Sequence, residues 1–94
     1  MEPLMFALIC TDNPDSLALR MANREAHIAH LKASETVRQA GPFLNAAGEM
    51  CGSLIIFETD DRATVEAFAA ADPYAVAGLF SEVRIEQWNR VINA

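Results

Sequence analysis

With 94 residues and a formal charge of -6, the chain makes one domain (1–94), near the smallest size that carries a useful core alone, so a second copy would help it. A 52 % apolar composition excludes a disordered tail, and the acidic balance argues against nucleic acid and anionic membrane as partners, since both require basic patches. No stretch approaches the roughly 18 apolar residues of a membrane span.

The amino end, M-E-P-L-M-F-A-L-I-C, begins with an acid and lacks a basic n-region, so it reads as a first strand and not a signal peptide. Leu4 to Thr11 carries apolar residues at both parities, with Met5, Ala7 and Ile9 on one face and Phe6, Leu8 and Cys10 on the other. A strand wet on one side would alternate, so both faces are covered. Asp12-Asn13-Pro14-Asp15 supplies caps and a helix-compatible proline.

Asp15 to Ser34 then reads as one helix. At about 100° per residue, Leu17, Met21, Ile28 and Leu31 form an apolar stripe with Arg24 inside it. His27 sits on the stripe's edge, on the flank of Arg20, and His30 points towards solvent. An arginine on a core face must snorkel out or meet a carboxylate or bound anion, because an unpaired buried guanidinium is too costly. This helix is therefore the first place to look for a site.

Val37 to Leu44 resumes as a strand interrupted by Gly41-Pro42, and a proline there suits only an edge or a bulge. Asn45 to Glu49 makes a hairpin connection with Gly48 available for positive φ. Met50 to Thr59 is a strand apolar on both faces and belongs at the centre of the sheet. Thr59-Asp60-Asp61 caps a second helix running to about Ala71, with Val65, Phe68 and Ala69 as its inner stripe and Asp72 continuing that stripe. Pro73 stops it. Tyr74 to Phe80 is one helical turn or an irregular loop folding back on the site, and Val83 to Ile92 is the last strand, more polar on the side of Glu82, Arg84 and Glu86.

Cys10 and Cys51 are embedded in apolar strands and match no metal or redox spacing. They read as two buried thiols in a reducing cytoplasm. The element order strand, helix, strand, strand, helix, strand predicts an α+β, ferredoxin-like βαββαβ antiparallel sheet with both helices on one face. Two helices cover only that face, so the apolar outer face is expected to meet a second copy in a homodimer of the dimeric α+β barrel type; the alternative is a monomer whose last strand and loops wrap that face, for which 94 residues leave little chain.

Arg24-Glu25-Ala26-His27, Gly41-Pro42, Gly52-Ser53, Asp72-Pro73-Tyr74, Gly78-Leu79-Phe80 and Trp88, in that order along nearly the whole chain, resemble the YCII (YciI-like) family. The resemblance implies a ferredoxin-like dimer whose cleft holds a histidine and an aspartate proposed as an enzymatic pair, corresponding here to His27 and Asp72. Members with an assigned reaction resemble lyases or isomerases acting on small ring compounds from aromatic breakdown.

The residues support part of this independently. His27 and Asp72 lie on or beside the inner stripes of helices packed on one sheet face, although ideal elements would leave them several ångströms apart, to be bridged by a water, a substrate or a bend at Tyr74. A carboxylate oriented on an imidazole fixes its tautomer for proton abstraction. Arg24 could hold an anionic substrate or pair with Asp72, Ser53 follows a glycine that lets a ligand approach the backbone, and Tyr74 could donate a hydrogen bond. Each residue also has a structural reading: a satisfied histidine, an ion-pair arginine, a helix-ending aspartate and a small serine under a helix.

A metal between His27 and His30 is disfavoured because the side chains diverge and spacing fixes no third ligand. Neither cysteine has a neighbour in sequence that would activate it. No cofactor is expected. Two classes remain, a small cofactor-free lyase or isomerase and a non-catalytic dimeric module that binds a small ligand or serves as an accessory protein.

Overall fold

Leu8 is flanked by Ile55 on one neighbouring strand and Ile85 on the other, and all three belong to the core. The computed structural model describes residues 4–93. In chain order the elements are β1 (Met5–Asp12), α1 (Leu17–Ala33), β2 (Val37–Leu44), β3 (Met50–Glu58), α2 (Arg62–Ala71), α3 (Pro73–Val76) and β4 (Phe80–Trp88). The sheet is antiparallel in the order β2-β3-β1-β4. This is the ferredoxin-like arrangement, with β1 and β3 central as their doubly apolar sequences require.

Phe6, Leu8, Cys10, Ile55 and Phe57 on the inner face meet Val65 and Phe68 of α2, with Leu31 of α1 against them. Burying each large apolar side chain contributes roughly 1.5–3 kcal/mol. Met5, Ala7 and Ile56 form a second cluster on the outer face, supported by Ile9 and Leu54. Outer-face positions of β4 are Glu82, Arg84 and Glu86, opposite Thr11, Ile9 and Ala7, so one border of that face is polar.

The expected turn chemistry largely holds. Pro42 lies in β2, an edge strand, where a missing N–H is tolerated. Gly48 has φ +79° in the β2–β3 hairpin, and Asp61 accepts the Ala63 N–H at the start of α2. Pro73 ends α2 and also opens α3, because its fixed φ and absent N–H suit the first turn of a helix.

Three expectations are corrected. The last strand runs Phe80–Trp88, not Val83 to Ile92: β1 supplies pairing partners from Asp12 to Met5, opposite Phe80 to Trp88, so Val91 lies beyond the ladder and is 80 % exposed. The loop before α1 does not supply its cap, since Asp12 is bonded to Arg20 and Ser16 occupies the N-cap without a side-chain bond. The buried face of α1 is turned about 60° from the predicted stripe. It centres on Arg20 and His27, leaving Met21 53 % exposed and Arg24 on the surface.

Candidate active site

That rotation of α1 has a physical cause: its two buried polar groups, Arg20 and His27, each find an acidic partner at the end of another element. Arg20, 2 % exposed, reaches the end of β1, where its Nε and Nη2 donate to Asp12 Oδ2 and Oδ1 at 2.8 and 3.0 Å. Two parallel bonds to one carboxylate are the strong geometry for a guanidinium. Burial pulls the Arg20 pKa down, and the bond to Asp12 and its charge more than restore it.

Seven residues on, His27 meets the junction of α2 and α3. Its Nδ1 lies 2.9 Å from Asp72 Oδ1 and 3.1 Å from Oδ2. An ionised carboxylate only accepts, so Nδ1 carries the proton and Nε2, on the far side of the ring, holds the free lone pair. Asp72 is itself held by the Tyr74 N–H, which donates to Oδ1 at 2.9 Å. The Asp72-Pro73-Tyr74 turn thus does two things: it aims the carboxylate at His27 and stacks the Tyr74 ring on the imidazole at 4.0 Å and 18°. The gap anticipated between His27 and Asp72 is closed by direct contact.

Tyr74 also lies under Arg20, whose Cζ is 4.5 Å from the ring centroid. Burial pushes the Tyr74 hydroxyl up, against the opposing pull of Arg20 and Arg24. Ser53, on the inner face of β3, accepts a 2.7 Å bond from Arg20 Nη2. Gly52 before it cannot be replaced freely, because a Cβ there would stand 2.5 Å from the Cys10 carbonyl oxygen.

These side chains line one cavity of about 280 Å³ between α1 and the β2–β3 half of the sheet, with Arg20, Arg24, His27, Ser53 and Tyr74 on its walls and Pro42 at the edge strand. The volume is just under the roughly 300–1,000 Å³ of drug-sized sites, which suits a single ring. A larger hollow of about 460 Å³ lies between the α1 N-terminus and the β2–β3 hairpin, lined by Asp12, Asp15, Glu49 and Cys51 among others. His27 is not among the residues that line it.

Four of the five expected site residues, His27, Asp72, Ser53 and Tyr74, are buried together. The fifth, Arg24, stands exposed at the cavity mouth and makes no ion pair with Asp72 or any other carboxylate among the described residues. The buried ion-pair arginine is Arg20 instead, with Asp12 as its partner. The signal for it was its position seven residues before His27, two turns away on one helix face.

His30 does not point to solvent. Its Nε2–H donates to the Phe68 carbonyl at 3.0 Å, and its ring stacks on Phe68 at 4.1 Å, so it fastens α1 to α2. The two histidines therefore have separate partners, and no cluster of three metal-ligating side chains occurs among the described residues. Burial, then the charge of Asp72, pushes the Cys10 thiol up to about 12. That keeps it protonated and inert near neutral pH. Cys51, expected in an apolar core, is only partly buried, and both cysteines are free.

A sequence profile described as the YCII-related domain matches residues 4–89. Protein YciI of Escherichia coli O6:H1 is 31 % identical over 98 residues, covering 94 % of this chain and 99 % of the relative. Among solved structures, 5-chloro-2-hydroxyhydroquinone dehydrochlorinase from Burkholderia phenoliruptrix AC1100, in complex with 2,5-dihydroxybenzoquinone, aligns with a TM-score of 0.84 at 33 % identity, over 90 % of this chain and 93 % of that one. Rv0793 from Mycobacterium tuberculosis aligns with a TM-score of 0.60 at 15 % identity, over 99 % of each chain, a likeness of fold alone.

Proposed function

Because this chain belongs to the YCII-related family, we propose that it is a small enzyme of the lyase or isomerase type. It acts by general acid/base chemistry on a hydroxylated ring compound and needs no cofactor. The observation that carries the reading is the grip of Asp72 on His27 Nδ1 at 2.9 and 3.1 Å, which leaves Nε2 as a base beside a ring-sized cavity. The dehydrochlorinase, whose complex holds a dihydroxybenzoquinone, supports the choice of substrate class.

In this mechanism Nε2 takes a proton from a ring hydroxyl or from a carbon next to a carbonyl. The electron pair left behind forms an enolate. It then either accepts a proton at another carbon, which is isomerisation, or expels a substituent from the neighbouring carbon as an anion, which is elimination. Asp72 keeps the imidazole in one orientation and faces the imidazolium that forms. Tyr74 and Ser53 line the substrate's berth, and Arg24 at the mouth holds its negative charge.

The working unit in this reading is a homodimer in a reducing cytoplasm, closed through the outer sheet face. Ala7, Ile9, Leu54 and Ile56 lie on that face with exposed Phe43 and Trp88 towards its borders. Among the described residues, no helix element packs over this face, and none is long and apolar enough to cross a membrane.

The test is turnover of chlorinated hydroxyhydroquinones by purified protein, followed by absorbance, with sedimentation velocity for the dimer. His27→Gln is expected to abolish turnover and keep the sedimentation coefficient. Full activity in His27→Gln, or binding of these compounds by the wild type without turnover, would overturn the enzymatic reading, and the second outcome would favour a ligand-binding module.

A further inference from the structure

Hydrogen bonding at the cavity wall leaves one proton without an acceptor. Ser53 is 2 % exposed and Arg20 Nη2 lies 2.7 Å from its Oγ. A guanidinium has donors only, so Ser53 Oγ accepts in that contact and its own O–H is directed elsewhere. Among the described residues the one hydrogen-bond contact of Ser53 Oγ is this one, made through its oxygen. Buried hydroxyls are usually bonded through both functions, and this one borders the cavity that also contains His27.

The group behind the hydroxyl is held rigidly. Asp12 fixes the guanidinium with two bonds, the Tyr74 ring lies against it at 4.5 Å, and the close approach of β3 to β1 at Gly52 fixes the Ser53 backbone. A positive charge donating to a hydroxyl oxygen strengthens that hydroxyl as a donor in turn. The charge of the cavity points the same way. Arg20, Arg24 and Lys32 line it and no Asp or Glu does, although the chain has 13 acids to 7 bases.

We propose that Ser53 is a catalytic hydrogen-bond donor to the oxyanion of the bound ring, and that Arg20 and Asp12 are positioning residues that aim and polarise it. This rests on the reading of His27 as the base. When Nε2 takes the substrate proton, the electron pair of the broken bond moves onto the oxygen of the conjugated carbonyl. Ser53 donates to that oxygen and keeps its own proton. The pair then returns to carbon as the product forms, and the proton on Nε2 goes to the product or to the departing anion. The ligand class is therefore a ring whose bound form is a phenolate or enolate, and the donor is in place before the charge develops.

The probe is 4-nitrophenol, whose ionisation is read from its visible absorption. Wild-type protein is expected to bind it as the phenolate and to lower its apparent pKa. Ser53→Ala is expected to bind the phenolate about tenfold or more weakly, as for loss of a hydrogen bond to a charged group, while Ser53→Thr retains most of the affinity. Arg20→Lys, which keeps a charge but loses the fork, is expected to raise the apparent pKa of the bound probe, a readout that loss of packing alone would not move.

The two claims separate by readout, since phenolate binding tests Ser53 and turnover tests His27. Ser53-dependent binding with no turnover of any hydroxyquinone would remove the role of His27 and leave that of Ser53 supported. Undiminished phenolate affinity in a folded Ser53→Ala, or no phenolate uptake by the wild type, would overturn the proposal.

Discussion

Replacing Arg20 by methionine should be among the most damaging single changes in this protein. The side chains of Arg20 and Asp12 are 2 % and 5 % exposed and joined by two bonds. Arg20→Met fills much of the same space but strands a nearly dry carboxylate at the end of β1. Breaking a buried pair in this way costs about 3–5 kcal/mol, mostly the cost of the charge left behind. At roughly 0.05–0.15 kcal/mol per residue, a domain of this size has a total stability of about 5–14 kcal/mol. Each kcal/mol is worth about 4–8 °C in Tm for a domain of this length. Urea unfolding followed by far-UV circular dichroism should therefore show a large fall in midpoint at an unchanged slope. The double variant Asp12→Asn, Arg20→Met should regain much of the loss, because neither charge remains. A cost below about 1 kcal/mol, the range of exposed pairs, would refute the reasoning, as would a double variant no more stable than Arg20→Met.

Three further outcomes are expected. Gly52→Ala should destabilise the protein by about 1–3 kcal/mol or more, because the added methyl would stand 2.5 Å from the Cys10 carbonyl oxygen and the β1–β3 pairing would have to shift; chemical denaturation measures it, and a neutral result contradicts the contact. Iodoacetamide with mass spectrometry near pH 8 should label Cys51 in the native protein and spare Cys10, whose thiol is pushed up to about 12 by burial and Asp72. The unfolded Cys10 thiol ionises near its ordinary 9.0 while the folded one stays protonated to about 12. Its contribution to stability is therefore whole below pH 9 and lost as pH rises towards 12. The alkaline fall in urea midpoint should be shallower in Cys10→Ala, and an unchanged fall would contradict this.

The fold was legible because its strongest signals were local. Double-parity apolar runs at Leu4 to Thr11 and Met50 to Thr59 placed two strands at the centre of the sheet, and Gly41-Pro42 placed a third at its edge. The limits of β4 were not legible, since Val91 and Ile92 have strand-like side chains and only the length of β1 decides that they go unpaired. The face of α1 was misjudged for a related reason. A helical wheel ranks positions by hydrophobicity, so it favoured Met21 and placed Arg24 in the stripe. Arg20 and His27 go inward because Asp12 and Asp72, distant along the chain, come to meet them. Pairings of that kind depend on tertiary geometry, which no periodicity encodes. The pairing of His27 with Asp72 came from the family resemblance, and their direct contact from the Asp72-Pro73-Tyr74 turn. Arg20 has one local cue, its two-turn spacing from His27, whereas the apolar stripe points to Arg24.

For His27 to offer Nε2 as a base, Asp72 must hold the proton on Nδ1. Nitrogen-15 NMR of the histidine rings near neutral pH reads that tautomer directly, with His30→Gln used to assign the two rings. A protonated Nδ1 and a bare Nε2 are expected on His27, with that preference weakened or reversed in Asp72→Asn, whose amide can offer a donor where the carboxylate offers none. A His27 ring that carries its proton on Nε2 in the wild type, or is unaffected by Asp72→Asn, would contradict it.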